Sequence, residues 1–119
     1  MNENGLIQRT KKFALRVIKL VDALPNTVAG RTIGGQLIRS GMSVSANYRA
    51  ACRGRSKPEF IAKLGIVEEE ADECCHWLEL IVESGMLDER LVIDLLREAS
   101  EITAIMVASK KTARARKDR

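Results

Sequence analysis

The chain is 119 residues long, a one-domain length, because single hydrophobic cores usually span about 100–200 residues. Hydrophobic residues make up 45% and charged residues 30%, but aromatics only 3%, which nearly excludes an all-β fold, since strands rely on aromatic and β-branched side chains. Two prolines and eight glycines, at a net charge of +4, leave long stretches without a breaker, dominated by Leu, Ile, Val, Ala, Glu, Lys and Arg, a helical composition.

The first element is predicted from about Leu6 to Leu24. Leu6, Phe13, Val17, Leu20 and Leu24 share one helical face. Ala14, Ile18 and Val21 widen it, while Lys11, Lys12, Arg16 and Lys19 sit off it, so this helix should pack on more than one neighbour. Pro25 should end it, because the residue before a proline is pushed out of the α region.

A second helix is predicted after Asn26-Thr27, either of which can cap, running to about Arg53 or Gly54. Its stripe is Ile33, Leu37, Gly41, Val44, Tyr48 and Ala51. Gly30, Gly34, Gly35 and Gly41 each cost about 1 kcal/mol against alanine inside a helix, which argues for close backbone approach, and Gly54 is placed for a left-handed stop. Next, Ser56-Lys57-Pro58-Glu59 combines a serine cap, a first-turn proline and a glutamate three residues on. It opens a third helix over about 57–84, with Phe60, Leu64, Val67, Ala71, Cys74 and Leu78 on one face and an acidic ridge of Glu68, Glu69, Glu70, Asp72, Glu73, Glu79 and Glu83 on the other. Asp88 can cap a fourth helix, whose stripe of Leu91, Leu95, Ile102, Ile105 and Ala108, beside Val92, Leu96, Ala99 and Met106, fades near Ser109. Four helices with short connectors and wide apolar faces predict an all-α, antiparallel up-down four-helix bundle over residues 1–110, followed by a basic, disordered tail over 111–119.

Charge is segregated along the chain. Residues 1–55 hold ten Lys/Arg against two acids, a balance of +8; residues 56–104 carry −9, and residues 105–119 return to +5. The basic blocks can meet the acidic ridge inside the fold or across subunits, or they can face an external polyanion. Arg49 and Arg53 are four apart on one helix face with Arg55 just beyond, and Lys110, Lys111, Arg114 and Arg116 crowd the C-terminus. These seven are the candidate nucleic-acid contacts, and arginine suits bidentate phosphate binding. With few aromatics for base stacking, such binding should be directed at the backbone and depend steeply on salt. If helices two and three form a hairpin turning at Gly54-Arg55, Asn47 faces Lys63 and Arg39 lies near Glu70, Ala71 and Asp72. Gln36, Arg39, Asn47 and Glu73 are therefore candidate structural polar residues that pair and fix register; Arg49 can also reach the ridge.

Catalytic chemistry finds little footing. Cys74-Cys75-His76 lies within one helix, where successive side chains diverge by about 100° and cannot converge on an ion. Glu73 and His76 make one Glu-x-x-His pair where a di-metal bundle site uses two. The glycines around Gly30-Arg31-Thr32-Ile33-Gly34-Gly35 lack the lysine-serine end of a phosphate loop. The expectation is a protein without enzyme activity, cofactor or metal. Cys52, Cys74 and Cys75 form an odd set with two adjacent members, which encodes no disulfide framework. No apolar run approaches the ~20 residues of a membrane span, and the N-terminus lacks a signal-peptide layout, so a soluble, cytoplasmic protein without membrane contact is expected.

Gln36-Leu37-Ile38-Arg39-Ser40, Ser43-Val44-Ser45-Ala46-Asn47 and Arg53-Gly54-Arg55-Ser56-Lys57-Pro58-Glu59-Phe60, with Glu73 following, carry a resemblance. In order and spacing they are similar to the small four-helix-bundle proteins encoded within intervening sequences of bacterial 23S ribosomal RNA genes, which are related to the accessory variability determinant of diversity-generating retroelements. The resemblance implies an antiparallel four-helix bundle, assembly as a homopentamer and no known catalytic activity. For the retroelement relatives it also implies a basic surface that engages RNA or DNA, and a reverse transcriptase partner. The alternative to nucleic-acid binding is a protein-protein scaffold whose arginines are taken up by the acidic ridge.

Overall fold

The computed structural model describes residues 2–116. They form four helices: α1 (Glu3–Asp22), α2 (Val28–Cys52), α3 (Lys57–Glu83) and α4 (Glu89–Ala115). Each helix packs on its neighbour in sequence, and α1 closes the square against α4 with its sparsest interface. The result is an antiparallel up-down bundle of 52 × 20 × 19 Å.

The helix starts follow side-chain chemistry. Asn2 Oδ1 accepts from the Gly5 N–H at 2.8 Å, Thr27 Oγ1 from Gly30 at 3.0 Å, Ser56 Oγ from Glu59 at 3.2 Å and Asp88 Oδ1 from Arg90 at 2.9 Å. Each satisfies a donor that the first turn leaves without a partner. Glu59 Oε2 in turn accepts from the Arg55 N–H at 3.1 Å, one residue earlier than the serine cap itself.

Two expectations about helix ends need correction. Gly54 does not adopt a left-handed conformation; among the described residues Gly85 is the glycine that does, at φ 77°. There Met86 N–H donates to Ile81 O and Gly85 N–H to Val82 O, each at 3.1 Å, the paired bonds of a Schellman stop. At Gly54 the constraint is space: a Cβ would lie 3.0 Å from Ala51 O. In addition, α4 does not fade at Ser109 but continues to Ala115, with Ala113 buried and Lys57 Nζ donating to the carbonyls of Arg114 and Arg116. The bundle therefore extends beyond residue 110. Of the expected tail, residues 117–119 lie outside the described residues.

Phe13, Leu37, Leu64, Leu78, Ile81, Ile102 and Met106 are fully buried in one continuous core. Within the expected apolar face of α4, Leu95 and Ile102 point inward together with the flanking Val92, Ala99 and Met106, whereas Leu91, at its other side, is 67% exposed. Thr10, wholly buried, donates its hydroxyl to Leu6 O at 2.9 Å, and Ser40 bonds Gln36 O at 3.0 Å, so these polar groups enter the core satisfied.

Candidate nucleic-acid interface

The fold decides which basic side chains are consumed. Arg9 grips Glu98 across α1 and α4 with two bonds, Nε to Oε2 at 2.8 Å and Nη2 to Oε1 at 2.7 Å. Arg39 bridges α2 to α3, bonding Glu70 at 2.9 Å and Glu73. Lys110 Nζ stands 2.6 Å from Glu68 Oε1, a buried oxygen with no hydrogen-bond partner of good geometry, so the ammonium is what balances its charge. Lys110 is thus held inside the bundle's own ion pairs and does not act as an outward tail cation.

The structural polar residues behave differently from one another. Burial pushes the Glu73 carboxyl up, but hydrogen bonds from Trp77, Arg39 and Ser40 and the Arg39 charge outweigh it and hold the group below the usual carboxylate range. Trp77 Nε1 donates to the same Glu73 oxygen at 3.1 Å. Asn47 does not reach across to Lys63. Its Nδ2 donates to Ser43 O and Ser43 Oγ, both at 2.9 Å, so it braces one helix and sets no register between two. Gln36 Oε1 accepts from Arg39 Nε at 3.4 Å on the exposed side of α2.

Arg49 and Arg53 are exposed and meet no carboxylate among the described residues. Both line a surface groove of about 620 Å³ between α1 and α2, together with Ile7, Gln8, Lys11, Ser45 and Ala46. Three cations from two helices thus face one furrow with no acid in its lining. Lys11 was legible only as a residue off the apolar stripe of α1; its place opposite Arg49 follows from how α1 lies on α2, which no local spacing reports. A second, mostly apolar furrow continues along the same pair of helices and shares Lys11, Ser45 and Ala46 with the first. Ala14, Leu15, Ile18, Met42 and Arg39 also line it, with Leu15 59% and Met42 50% exposed.

The topology gathers the remaining candidates at the same end. The C-terminus of α2, the N-terminus of α3 and the C-terminus of α4 meet there, as the Lys57 bonds to the carbonyls of Arg114 and Arg116 require. Arg55 in the turn, and Lys111, Arg114 and Arg116 on and just after α4, are exposed, and their side chains meet no carboxylate among the described residues. Segments whose contacts are 57 and 59 positions apart in sequence therefore form one basic pole, relieved by Glu3 and Glu59.

Reactive side chains are placed elsewhere. Burial pushes the Cys74 thiol up to about 12 and the Cys75 thiol up to about 11, away from the thiolate a nucleophile needs. Burial also raises Tyr48, whose hydroxyl bonds Cys52. His76 lies exposed with its ring edge-on to Trp77, centroids 4.9 Å apart. Among the described residues no group of three or more His, Cys, Asp or Glu side chains is arranged to hold a metal, and no helix is long and apolar enough to cross a membrane.

Fold and surface together define a class: small all-helical bundles whose polar chemistry lies on the outside, in ion-paired seams and an unpaired basic furrow. Residues 2–108 match the family described as 23S rRNA-intervening sequence protein, and the chain belongs to that family. Among solved structures it is similar to the 1.70 Å crystal structure of a protein of unknown function from the S23 ribosomal protein family of Bacteroides thetaiotaomicron VPI-5482. The two are 29% identical with a TM-score of 0.83, over 89% of this chain and 98% of that one. Among proteins of curated function none matches.

Proposed function

We propose that this protein is a non-enzymatic, cytoplasmic, self-assembling bundle that binds the backbone of RNA or DNA through the furrow between α1 and α2 and the adjoining basic pole. The observation that carries this reading is the convergence of Lys11, Arg49 and Arg53 on one groove while Arg9, Arg39 and Lys110 are occupied by acids. An arginine surface maintained without internal partners costs self-repulsion, which a polyanion relieves. Assembly, as a pentamer by family resemblance, would repeat the basic pole and raise affinity for a long polyanion through effective concentration.

The second reading is a scaffold directed at protein alone, either at further copies or at a partner such as a reverse transcriptase. The exposed Leu15 and Met42 in the neighbouring apolar furrow favour it. One pair of measurements separates the two. Fluorescence anisotropy with a structured RNA at low salt should show binding that Arg49→Glu and Arg53→Glu each weaken at least ~10-fold, with light scattering unchanged. Binding that ignores both reversals removes the furrow as the site. Reversals that dissociate the assembly, in a wild type indifferent to RNA, establish the scaffold reading.

A further inference from the structure

Resting on the nucleic-acid reading of this furrow, we infer that its ligand is double-helical nucleic acid in preference to a single strand. Proteins that hold single strands combine a basic groove with exposed rings on which the released bases stack, and each such base contributes substantially to binding. This protein places its rings elsewhere. Phe13 and Tyr48 are core residues, and Phe60 and Trp77 pack against the core, with the Trp77 indole N–H also donating to Glu73. The furrow's non-basic lining is Ile7, Gln8, Ser45 and Ala46. These small or narrow side chains give an unpaired base no π-face, so a single strand would give up base stacking and hydration without replacing either.

A duplex asks for something else. Its bases stay stacked on one another, and it offers a projecting phosphate ridge of high charge density. Cations on both walls of a furrow, Lys11 from α1 and Arg49 and Arg53 from α2, match a ridge seated between them. Counterion release per neutralised phosphate is also greater for a duplex than for a single strand. Gln8, and the Ser45 hydroxyl, which bonds Met42 O at 3.3 Å, supply neutral hydrogen-bonding groups beside the cations, suited to the sugar and phosphate edges by which duplex RNA is read.

The test compares a fluorescein-labelled 20-base-pair RNA duplex with one of its strands, chosen to be unstructured, on the full chain at low salt. The duplex should bind at least about five-fold more tightly, with log K falling against log salt at a slope of about −2.7 if three phosphates are neutralised. The double variant Arg49→Gln/Arg53→Gln should lose most of that affinity and shed about two units of slope, with its helical circular dichroism unchanged. A single strand that binds as tightly as the duplex overturns this inference and leaves the furrow as a nucleic-acid site. A duplex preference that survives in the double variant overturns its assignment to the furrow. Failure of both probes to bind the wild type overturns the proposed function as well.

Discussion

Gly41 sits where α2 crosses α1 so closely that a Cβ would lie 2.8 Å from Val17 Cγ1. Val17 is a fully buried, stiff β-branched side chain, so it cannot swing aside. Gly41→Ala should therefore lower stability: overpacking costs about 1–3 kcal/mol, more than the gain of about 1 kcal/mol in helix propensity. At Gly65 a Cβ meets nothing within 4 Å, and Gly65→Ala should raise stability by about 0.5–1 kcal/mol. Urea denaturation midpoints of the two variants should move in opposite directions. Gly41 was legible as a close approach because it occupies the apolar stripe of its own helix. Gly54 differs from its local pattern: a glycine after a helix suggests a left-handed residue, whereas here it relieves crowding against Ala51 O.

Between elements, polar side chains do the clamping, and their weights differ with burial. The α2–α3 seam depends on Arg39, Glu70 and Glu73. Because the folded-state pKa of Glu73 is lowered, its contribution is complete above the unfolded carboxylate value and is lost as pH falls through the folded one. Glu73→Gln should be less stable than wild type near neutral pH, and the two should converge as pH falls below the lowered folded-state value of Glu73; urea midpoints from neutral to acid pH check the sign. The α1–α4 seam is sparse, so its one bidentate pair carries more of the closure. Arg9→Ala should cost about 1–2 kcal/mol, since it leaves Glu98, 16% exposed, without its partner, and thermal melts at low ionic strength should resolve the loss. The hairpin arithmetic placed Arg39 beside Glu70 because α2 and α3 adjoin in sequence. Arg9 and Glu98 are 89 positions apart, and no local pattern links them.

Over the whole molecule, charge that looks merely segregated along the chain is sorted by the fold into two uses. Part of each basic block is spent on seams: Arg9, Arg39 and Lys110 join helices that would otherwise bring carboxylates against the core. Lys11, Arg49 and Arg53 share the basic furrow, and Arg55, Lys111, Arg114 and Arg116 stand at the adjoining end. Arg16 and Lys19 line a groove with Asp94, while Arg31 bonds Asn26 at 2.8 Å at the opposite end. Beside the basic furrow lies the apolar furrow of Leu15 and Met42, which under the self-assembly proposed above would be the surface to meet another copy, since large exposed apolar side chains in a shared groove gain most by burial. Leu15→Asp/Met42→Asp should shift the light-scattering mass to that of a monomer while helical circular dichroism is retained. An assembly that survives the double substitution would place the contact elsewhere.

Helix number, order, the caps of α2, α3 and α4 and most core positions were determined by the sequence alone, because they follow from a 3.6-residue period and from short-range hydrogen bonds that neighbours in the chain make; the start of α1 at Glu3 under the Asn2 cap was not read. Which side of the wide α4 face points inward, the continuation of that helix to Ala115 and the fate of each charge were not determined by it. Leu91 and Val92 are equally apolar, and which one faces inward depends on the angle at which α3 receives the helix. Likewise, a lysine reads the same whether it meets Glu68 or solvent. Only when four helices pack does a given cation acquire a carboxylate or a furrow, because that choice rests on distances between residues the chain itself keeps far apart.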